Sequence, residues 1–397
     1  MEPAGTITIR EKALKSIAGH HPWIFSGAVE EIPNGIEPGE VVDLIDHSGS
    51  FLARGFFNPD SQITVRILSF EKESISIDSF RERLESAYRM RKRLPEYGDS
   101  DAWRIVYGEA DRMPGLVVDQ YGDYLSVQFH SVGWERIKED LCRIMTEVTG
   151  AKSVFDGSDE DMREREGLNC ENRVVYGAEL PERIEVSEFG RRMGVDVQNG
   201  QKSGLYLDQK FNHQRIVPFA KGRRVLDVFS YTGGFGLAAL QGGCRELWCV
   251  DVSEGSERKI KENVDSNRFD SVPVTIRRED AFDVLRELED SGEQFDMIIL
   301  DPPAFCKRKS AVTKACRGYK DINRIAMKLL TPEGILVSCS CSRPLADDLF
   351  TRVLWQSSVE AGRDVSMLGY YGQGADHPIL LTFPESKYLK CAIMQVT

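Results

Sequence analysis

Four acidic residues in the second half of the sequence stand at the ends of short apolar runs. Asp227 closes RVLD, Asp251 closes LWCVD, Asp280 follows PVTIRRE and Asp301 closes FDMIILD. Short apolar runs separated by segments of helix length are typical of parallel strands that are buried on both faces. Ligands bind beyond the carboxyl ends of such strands, and carboxylates accept hydrogen bonds from hydroxyl and amino groups. The spacing therefore predicts a binding site for a polar ligand.

A glycine-rich turn, VFSYTGGFG, follows Asp227. Glycines let the backbone approach a ligand closely, and the helix that begins after them presents free amide groups. The spacing is not the G-x-G-x-x-G that binds a pyrophosphate. The segment resembles motif I of class I methyltransferases, and this resemblance implies S-adenosyl-L-methionine (SAM) as the cofactor. The cofactor contacts predicted in this region are Asp227, Phe229, Ser230, Tyr231, Thr232, Gly233 and Gly234.

Two further carboxylates fit the same cofactor. Asp251 ends the next strand, where a carboxylate can accept both hydroxyls of a ribose, and Val252 lies beside it. In class I methyltransferases an acidic residue after the third strand accepts from the adenine amine, which implies this role for Asp280, with Ala281 next to the ring. Surface Asp residues also commonly cap helices, and for each Asp taken singly this alternative stays open.

A rigid loop, DPPAF, follows the fourth strand. Two prolines can neither continue a strand ladder nor begin an interior helical turn, so they hold Asp301 and the next carbonyl in a fixed position. The loop resembles motif IV of methyltransferases that act on nucleobases. The resemblance implies that Asp301 serves both cofactor and base, and that Pro302, Pro303 and Phe305 contact the substrate base.

The fifth apolar run, GILVSCSCS, ends in two cysteines. Cytosine C5 is a weak nucleophile, and a thiolate that adds to C6 gives C5 enamine character. Strand alternation puts Cys339 and Cys341 on one face, with Cys341 nearer the ligand end. Cysteines also pack as small buried hydrophobes. The position of Cys341 beside the Asp301 loop favours the catalytic interpretation, with Cys341 as the nucleophile.

The elements that position these residues form three predicted domains. The fold class is α/β: a Rossmann-like class I methyltransferase domain over 189–397, entered through a β-hairpin connector. It is preceded by a small α+β central domain over 73–188 and a β-barrel-like domain over 1–72, in which VVDLID, FLARGFF and ITVRILSF are strands. The helical spacing of FRERLESAYRMRKRL predicts a helix over 79–94.

Composition sets limits on the function. The net charge is −12, which argues against broad nucleic-acid binding, although RMRKR (89–93) and KRK (307–309) concentrate positive charge locally. Nine cysteines without a C-x-x-C pair predict reduced thiols and no structural metal. Without a long apolar run or a recognisable secretory signal, the chain is expected to be cytoplasmic and to have no membrane partner.

Long segments match one family. HHPWIFSGAV, ARGFFNPDSQITVRI, VDVQNGQKSGLYLDQK, VFSYTGGFGLAAL, DPPAFCKRKS and YLK resemble the RlmI-type methyltransferases, which make 5-methylcytosine in bacterial 23S ribosomal RNA. The resemblance covers nearly the whole chain. It implies an N-terminal PUA domain that grips RNA and a ribosomal RNA substrate that is unstacked or naked.

The resemblance also assigns residues. It implies that Tyr206 and Gln209, in QKSGLYLDQ, close over the methionine end of the cofactor, with Lys202 and Asp208 as weaker candidates. Many RNA cytosine-5 methyltransferases have a product-releasing cysteine directly after D-x-P, where this chain has Ala304. Cys306 is either its substitute or, as we favour, an unrelated thiol. Arg343-Pro344 stands where the family often has Gly.

Two alternatives and the oligomeric state stay open. Relatives that share the D-P-P-x-F loop methylate guanine, at N7 or N2, without a cysteine. A non-catalytic RNA-binding assembly factor would retain the fold alone, and the intact carboxylates and Cys341 argue against it. A homodimer is compatible with the sequence.

Overall fold

The computed structural model describes residues 1–94, 98, 100–198, 200 and 203–397. The chain folds into two compact units. The N-terminal unit comprises Met1–Ser187, Val195–Leu207 and Ala375–Ser386, and the C-terminal unit comprises Glu188–Gly194, Asp208–Gly374 and Lys387–Thr397. The two units do not coincide with the three domains expected from the sequence, whose boundaries remain a prediction.

The first part of the N-terminal unit is a six-stranded sheet with the order β2-β6-β5-β4-β1-β3. The β1–β4 pair is parallel, and the other pairs are antiparallel. The three strands expected from the sequence are confirmed as β4, β5 and β6. The elements are β1 (Gly5–Ile9), α1 (Glu11–Ala18), β2 (Trp23–Phe25), β3 (Val29–Glu31), β4 (Val41–Ile45), β5 (Phe51–Phe57) and β6 (Ile63–Ser69).

The second part is a five-stranded sheet with the order β11-β10-β9-β8-β7. The expected helix is confirmed over Ile77–Lys92, where Ser76 and Ser79 form a capping box. Two separate helices, Val132–Glu135 and Lys138–Thr149, follow the strand that ends at Phe129. The elements are α2 (Ile77–Lys92), β7 (Ala102–Tyr107), β8 (Leu116–Tyr121), β9 (Tyr124–Phe129), α3 (Val132–Glu135), α4 (Lys138–Thr149), β10 (Ser153–Asp156), α5 (Glu160–Glu164) and β11 (Arg173–Gly177).

A two-stranded sheet of β12 (Ile184–Glu188) and β13 (Arg191–Val195) corresponds to the expected hairpin. The C-terminal unit then carries a seven-stranded sheet with the order β16-β15-β14-β17-β18-β20-β19. Its elements are α6 (Lys210–Ile216), β14 (Arg224–Val228), α7 (Gly234–Gln241), β15 (Glu246–Val250), α8 (Ser256–Ser266), β16 (Val274–Arg277), α9 (Ala281–Ser291), β17 (Phe295–Leu300), α10 (Val312–Leu329), β18 (Leu330–Ser340), α11 (Asp347–Ala361), β19 (Val365–Tyr371) and β20 (Lys390–Val396).

The doubly wound arrangement expected from the apolar runs is confirmed. Strands β14 to β18 pair in parallel, and β14 lies between β15 and β17, where the direction of strand succession reverses. Leu226, Val228, Ile298 and Leu300 are buried in the core of this sheet. Such a reversal point is where open α/β sheets bind ligands. Strands β19 and β20 were not predicted, and β20 runs antiparallel between β18 and β19.

Among the described residues, no helix combines the length and the apolar character needed to cross a membrane.

Candidate active site

Asp227 is buried at the end of β14. Its Oδ2 accepts a hydrogen bond from the Gly236 amide at 2.9 Å, while Oδ1 has no hydrogen-bond partner among the described residues. Burial raises the pKa of Asp227 well above its usual range, and the neighbouring Asp301 carboxylate raises it further. A buried carboxylate with an available oxygen suits a cationic group such as the amino group or sulfonium of SAM.

The turn after Asp227 has an unusual backbone. Phe229 and Tyr231 have positive φ angles of 66° and 50°, and Gly233 has φ 86°. Non-glycine residues adopt this region rarely, and such residues cluster at binding sites. Gly234 is required by packing, because an added Cβ would lie 2.5 Å from Cε1 of His213. The predicted glycine turn is thus a tightly packed loop at the N-terminus of α7.

Asp251 ties this turn to the end of β15. Its Oδ2 accepts from the Tyr231 amide at 2.8 Å, and its Oδ1 accepts from both the amide and the hydroxyl of Ser253. Val252 is 66% exposed, which is high for a large apolar side chain that follows a buried strand. The carboxylate and the exposed valine together present a polar and an apolar contact, as a nucleoside requires.

Asp280 caps α9. Its Oδ1 accepts from the amides of Phe282 at 2.8 Å and Asp283 at 3.3 Å, so the capping alternative describes its geometry. The side chain is exposed, and both of these hydrogen bonds use the same oxygen. Ala281 is buried beside it. Capping therefore leaves the second carboxylate oxygen for the expected adenine contact, which remains a prediction.

Asp301 follows β17 and is oriented by a chain of amides. Its Oδ1 accepts from Nε2 of Gln209 at 2.7 Å, and Oε1 of Gln209 accepts from Nδ2 of Asn212 at 2.6 Å. The sequence assigned both Gln209 and Asp301 to the cofactor site, but it did not predict the hydrogen bond between them.

The rest of the Asp-Pro-Pro loop is packed against α10. Pro302 is buried and Pro303 is exposed. Phe305 is half-buried and packs against Tyr319, with ring centroids 4.6 Å apart. The loop is therefore held from behind by an aromatic contact, while its second proline faces outward.

The two cysteines at the end of β18 differ in exposure. Cys339 is fully buried opposite Cys391, and burial raises the pKa of its thiol. Cys341 is half-buried, and its Sγ donates a hydrogen bond to the carbonyl of Pro302 at 3.8 Å. Only the second cysteine of the pair faces an open cleft, which has a volume of about 230 Å³. The cleft is lined by Ala304, Cys306, Lys307, Cys341, Arg343, Pro344 and Tyr388.

Two residues that the sequence did not single out support this strand end. The Tyr319 hydroxyl is hydrogen-bonded to Oγ of Ser340, at 2.9 Å, and of Ser342, at 3.0 Å. Nζ of the buried Lys390 donates to the carbonyl of Ser342 at 2.8 Å. The serines on both sides of Cys341 are thus fixed in place. Lys390 belongs to the YLK segment, which matches the family, but the match did not assign a role to this lysine.

Three further candidates come from the segment before the glycine turn. Tyr206 belongs to the N-terminal unit. Asp208, in the C-terminal unit, accepts a hydrogen bond from the hydroxyl of Tyr388. Lys202 lies outside the described residues. Within the described ranges, no cluster of three or more His, Cys, Asp or Glu could hold a metal ion.

Comparisons with known proteins agree with this architecture. A family model of the PUA-like domain matches residues 7–70, and a family model described as S-adenosylmethionine-dependent methyltransferase matches residues 137–361. Ribosomal RNA large subunit methyltransferase I of Erwinia tasmaniensis is 41% identical over 377 residues, which cover 95% of each chain. The protein of the same name from an Enterobacter species is 40% identical over 384 residues, 96% of this chain and 97% of that one.

Solved structures share the fold. One described as a SAM-dependent methyltransferase from Streptococcus mutans has a TM-score of 0.83 at 20% identity and covers 98% of this chain and 99% of its own. Another, described as a methyltransferase complexed with SAH, has a TM-score of 0.84 at 20% identity, with the same coverage. At this identity the likeness shows the fold alone.

The fold, the glycine turn and the matched family models define a SAM-dependent methyltransferase that carries a PUA-like domain. Given 41% identity over nearly its whole length, the chain belongs to the family of ribosomal RNA large subunit methyltransferase I. The family, the fold class and the cofactor expected from the sequence are therefore confirmed.

Proposed function

We propose that this protein methylates C5 of a cytosine in large-subunit ribosomal RNA, with Cys341 as the nucleophile. The relatives, which are named ribosomal RNA large subunit methyltransferases, support the RNA substrate. The observation that carries the cytosine assignment is the half-exposed Cys341 thiol, 3.8 Å from the Pro302 carbonyl of the Asp-Pro-Pro loop. A cleft of about 230 Å³ is smaller than the sites of drug-sized ligands, about 300–1,000 Å³, and suits a single planar ring.

SAM fits the ends of β14 and β15. Asp227 offers a buried carboxylate oxygen to a cationic group, Asp251 offers lone pairs to ribose hydroxyls, and Val252 offers an apolar surface. Gly233 supplies the positive φ that the turn requires, and Gly234 leaves room for His213, so together they shape the turn at the N-terminus of α7. When bound, SAM supplies the methyl group that the base receives.

The chemistry on the base requires a thiolate. Cys341 adds through sulfur to C6, the C5–C6 double bond opens, and C5 gains the electron density that it lacks in free cytosine. Asp301, held by Gln209, accepts a hydrogen bond from the exocyclic amine. It also shares with N3 a proton that is taken up from solvent as the thiolate adds and is returned to solvent when the thiolate leaves. After C5 carries the methyl group, a base or water removes its proton, the double bond re-forms and the Cys341 thiolate leaves.

The cytosine must leave its stack to reach such a cleft, which favours a single-stranded or loop segment of the RNA as substrate. Pro302 and Pro303 keep the loop rigid while the base enters, since neither has a backbone N–H that needs a ladder partner. Phe305 stabilises the loop from behind through its contact with Tyr319.

The test compares two cysteine variants. Wild-type protein, Cys341→Ala and Cys339→Ala are each incubated with labelled SAM and large-subunit ribosomal RNA transcribed in vitro, and the digested nucleosides are identified by mass spectrometry. Wild type and Cys339→Ala are expected to form 5-methylcytidine, and Cys341→Ala none. Cys339→Ala is the matched control, because it removes a thiol of the same strand that does not reach the cleft.

A second readout traps the adduct. In RNA that contains 5-fluorocytidine, C5 carries fluorine in place of the proton that must be lost, so the Cys341–C6 bond persists as a protein–RNA complex on a denaturing gel. Methylated guanosine as the only product, or full 5-methylcytidine from Cys341→Ala, would overturn the assignment.

A further inference from the structure

The segment Pro302–Lys320 is positively charged, whereas the chain as a whole is acidic. The chain as a whole has 63 acidic and 51 basic residues, for a net charge of −12. This segment contains no Asp or Glu, and it contains six Lys or Arg residues. It begins in the Asp-Pro-Pro loop and continues into α10. Positive charge is thus concentrated where the proposed base-binding loop leaves the sheet.

Five of these cations form what we call the cationic strip: Lys307, Arg308, Lys309, Lys314 and Arg317. All five are exposed. Within the part of the chain that the structure describes, none lies within 4 Å of a carboxylate oxygen, whereas some other exposed cations of this unit are paired. Arg258 lies 2.8 Å from Glu262, and Lys328 lies 2.7 Å from Glu289. The charges of the cationic strip are therefore not neutralised by carboxylates among the described residues.

The strip starts at the cleft and continues along α10. Lys307 lines the same cleft as Cys341. Lys314 and Arg317, three residues apart, share one face of the helix and line a second groove. The acidic residues of that groove are already paired, Asp321 with Arg324 at 3.1 Å and Glu360 with Lys320 at 2.6 Å. Positive charge without an internal partner therefore extends outward from the cleft.

We propose that the cationic strip binds the phosphate backbone of the RNA strand that delivers the target base to the cleft. The inference rests on the proposed RNA substrate, and it adds the route that the RNA backbone takes across the protein surface. Exposed Lys and Arg side chains bind phosphates and release counterions from the nucleic acid, which makes affinity depend on salt. A flipped base requires a locally unpaired strand. The strip also accounts for RNA binding by an acidic chain, since the positive charge is local.

The test measures salt dependence with the full chain. Three variants are compared with wild type: Lys307→Gln/Arg308→Gln/Lys309→Gln, Lys314→Gln/Arg317→Gln, and the control Lys221→Gln/Arg258→Gln/Lys261→Gln. The control removes the same charge as the first triple variant from three exposed cations of the same unit. Binding of a fluorescent single-stranded oligoribonucleotide is followed by anisotropy from low to high salt. SAH binding, followed by calorimetry, reports that each variant is folded.

A single-stranded contact contributes about 0.7 to the slope of log affinity against log salt. We therefore expect the slope to fall by about 2 in the triple strip variant and by about 1.4 in the double variant, with SAH affinity unchanged. The control should keep the wild-type slope. In turnover assays the strip variants should raise KM for RNA, and the double variant Lys314→Gln/Arg317→Gln, whose residues do not line the Cys341 cleft, should leave kcat unchanged.

The outcomes separate this inference from the proposed function. If wild type forms 5-methylcytidine and the strip variants keep the wild-type salt slope, or if the control loses as much slope as they do, the strip is not the RNA path and the proposed function stands. If wild type binds no RNA at any salt concentration, both are overturned.

Discussion

Nζ of Lys390 lies 2.8 Å from the backbone carbonyl of Ser342, the residue after Cys341. The same ammonium donates to the carbonyl of Tyr388 at 3.0 Å. Lys390 is buried, and burial lowers the pKa of its ammonium, whereas Asp347 and the thiol of Cys341 act on it in the opposite direction. Because electrostatic coupling is reciprocal, this positive charge also stabilises the Cys341 thiolate.

We therefore expect Lys390→Met to slow alkylation of Cys341 at pH 7.5 by about fivefold to tenfold, because a nearby cation lowers a thiol pKa by about one unit or more. The rate is measured with iodoacetamide between pH 6 and 10, and the modified peptide is identified by mass spectrometry. The apparent pKa of the thiol should rise in this variant.

Lys390→Arg, which keeps the charge, should restore most of the reactivity. Lys328→Met removes a lysine that pairs with Glu289 and serves as the control. An unchanged rate in Lys390→Met would contradict the electrostatic role of this residue.

The Asp227 carboxylate is expected to destabilise the cofactor-free protein and to strengthen cofactor binding. Burial raises its pKa, so the stability that its protonated form gives is lost as the pH rises through that raised value. At neutral pH, Asp227→Asn should therefore raise the unfolding temperature of the cofactor-free protein. It should also weaken SAH binding about tenfold or more, because a charge-assisted hydrogen bond is lost.

Thermal unfolding with and without SAH measures both effects in one experiment. Asp283→Asn, at a side chain that is 80% exposed on α9, is the control and should change neither quantity. Asp227→Asn protein that binds SAH as tightly as wild type would remove Asp227 from the cofactor site.

The sequence predicted the strand ends well, because parallel strands bring residues far apart in the chain to one edge. Asp227 is the penultimate residue of β14, and Asp251 and Asp301 follow β15 and β17, the two neighbours of β14 in the sheet. Burial raises the pKa of Asp227, and both of these carboxylates raise it further. The spacing of these residues along the chain was sufficient to predict that they share one edge, because the carboxyl ends of parallel strands lie at the same edge of the sheet.

The supporting contacts could not be predicted. Lys390 is 48 residues from Ser342 and reaches it through β20, an antiparallel strand inserted between β18 and β19. Apolar periodicity indicates a strand but neither its neighbours nor its register. Gln209 was expected to contact the cofactor, and the structure shows it hydrogen-bonded to Asp301, 92 residues away. Such side-chain pairings depend on packing rather than on local pattern.

Gly234 is expected to tolerate no side chain. An added Cβ would lie 2.5 Å from Cε1 and 2.8 Å from Nε2 of the buried His213, so the start of α7 would have to shift. Gly234→Ala should cost about 1–3 kcal/mol of stability and weaken SAH binding, because the shifted helix carries the turn. Gly27→Ala, where no heavy atom lies within 4 Å of the added Cβ, is the control. Equal unfolding temperatures for the two variants would contradict the packing argument.

Glu188 should stabilise the C-terminal unit in a manner that depends on pH. Its Oε1 lies 2.8 Å from Nδ1 of His213 and 3.0 Å from an Arg191 nitrogen. Burial alone would raise its pKa, but His213, Arg191 and Lys210 outweigh burial and lower the pKa to about 2. Relative to an ordinary glutamate pKa near 4.3, this corresponds to about 3 kcal/mol.

That stability is fully present above about pH 4.5 and is lost as the pH falls towards 2, because the unfolded chain then binds a proton that the folded chain does not. At pH 7, Glu188→Gln should lower the unfolding temperature by roughly 6–12 °C, and the difference from wild type should shrink steadily below pH 4.5. Glu254→Gln, at an exposed position, should show no difference at any pH. A deficit in Glu188→Gln that stays constant down to pH 2.5 would show that its carboxylate charge is not what stabilises the fold.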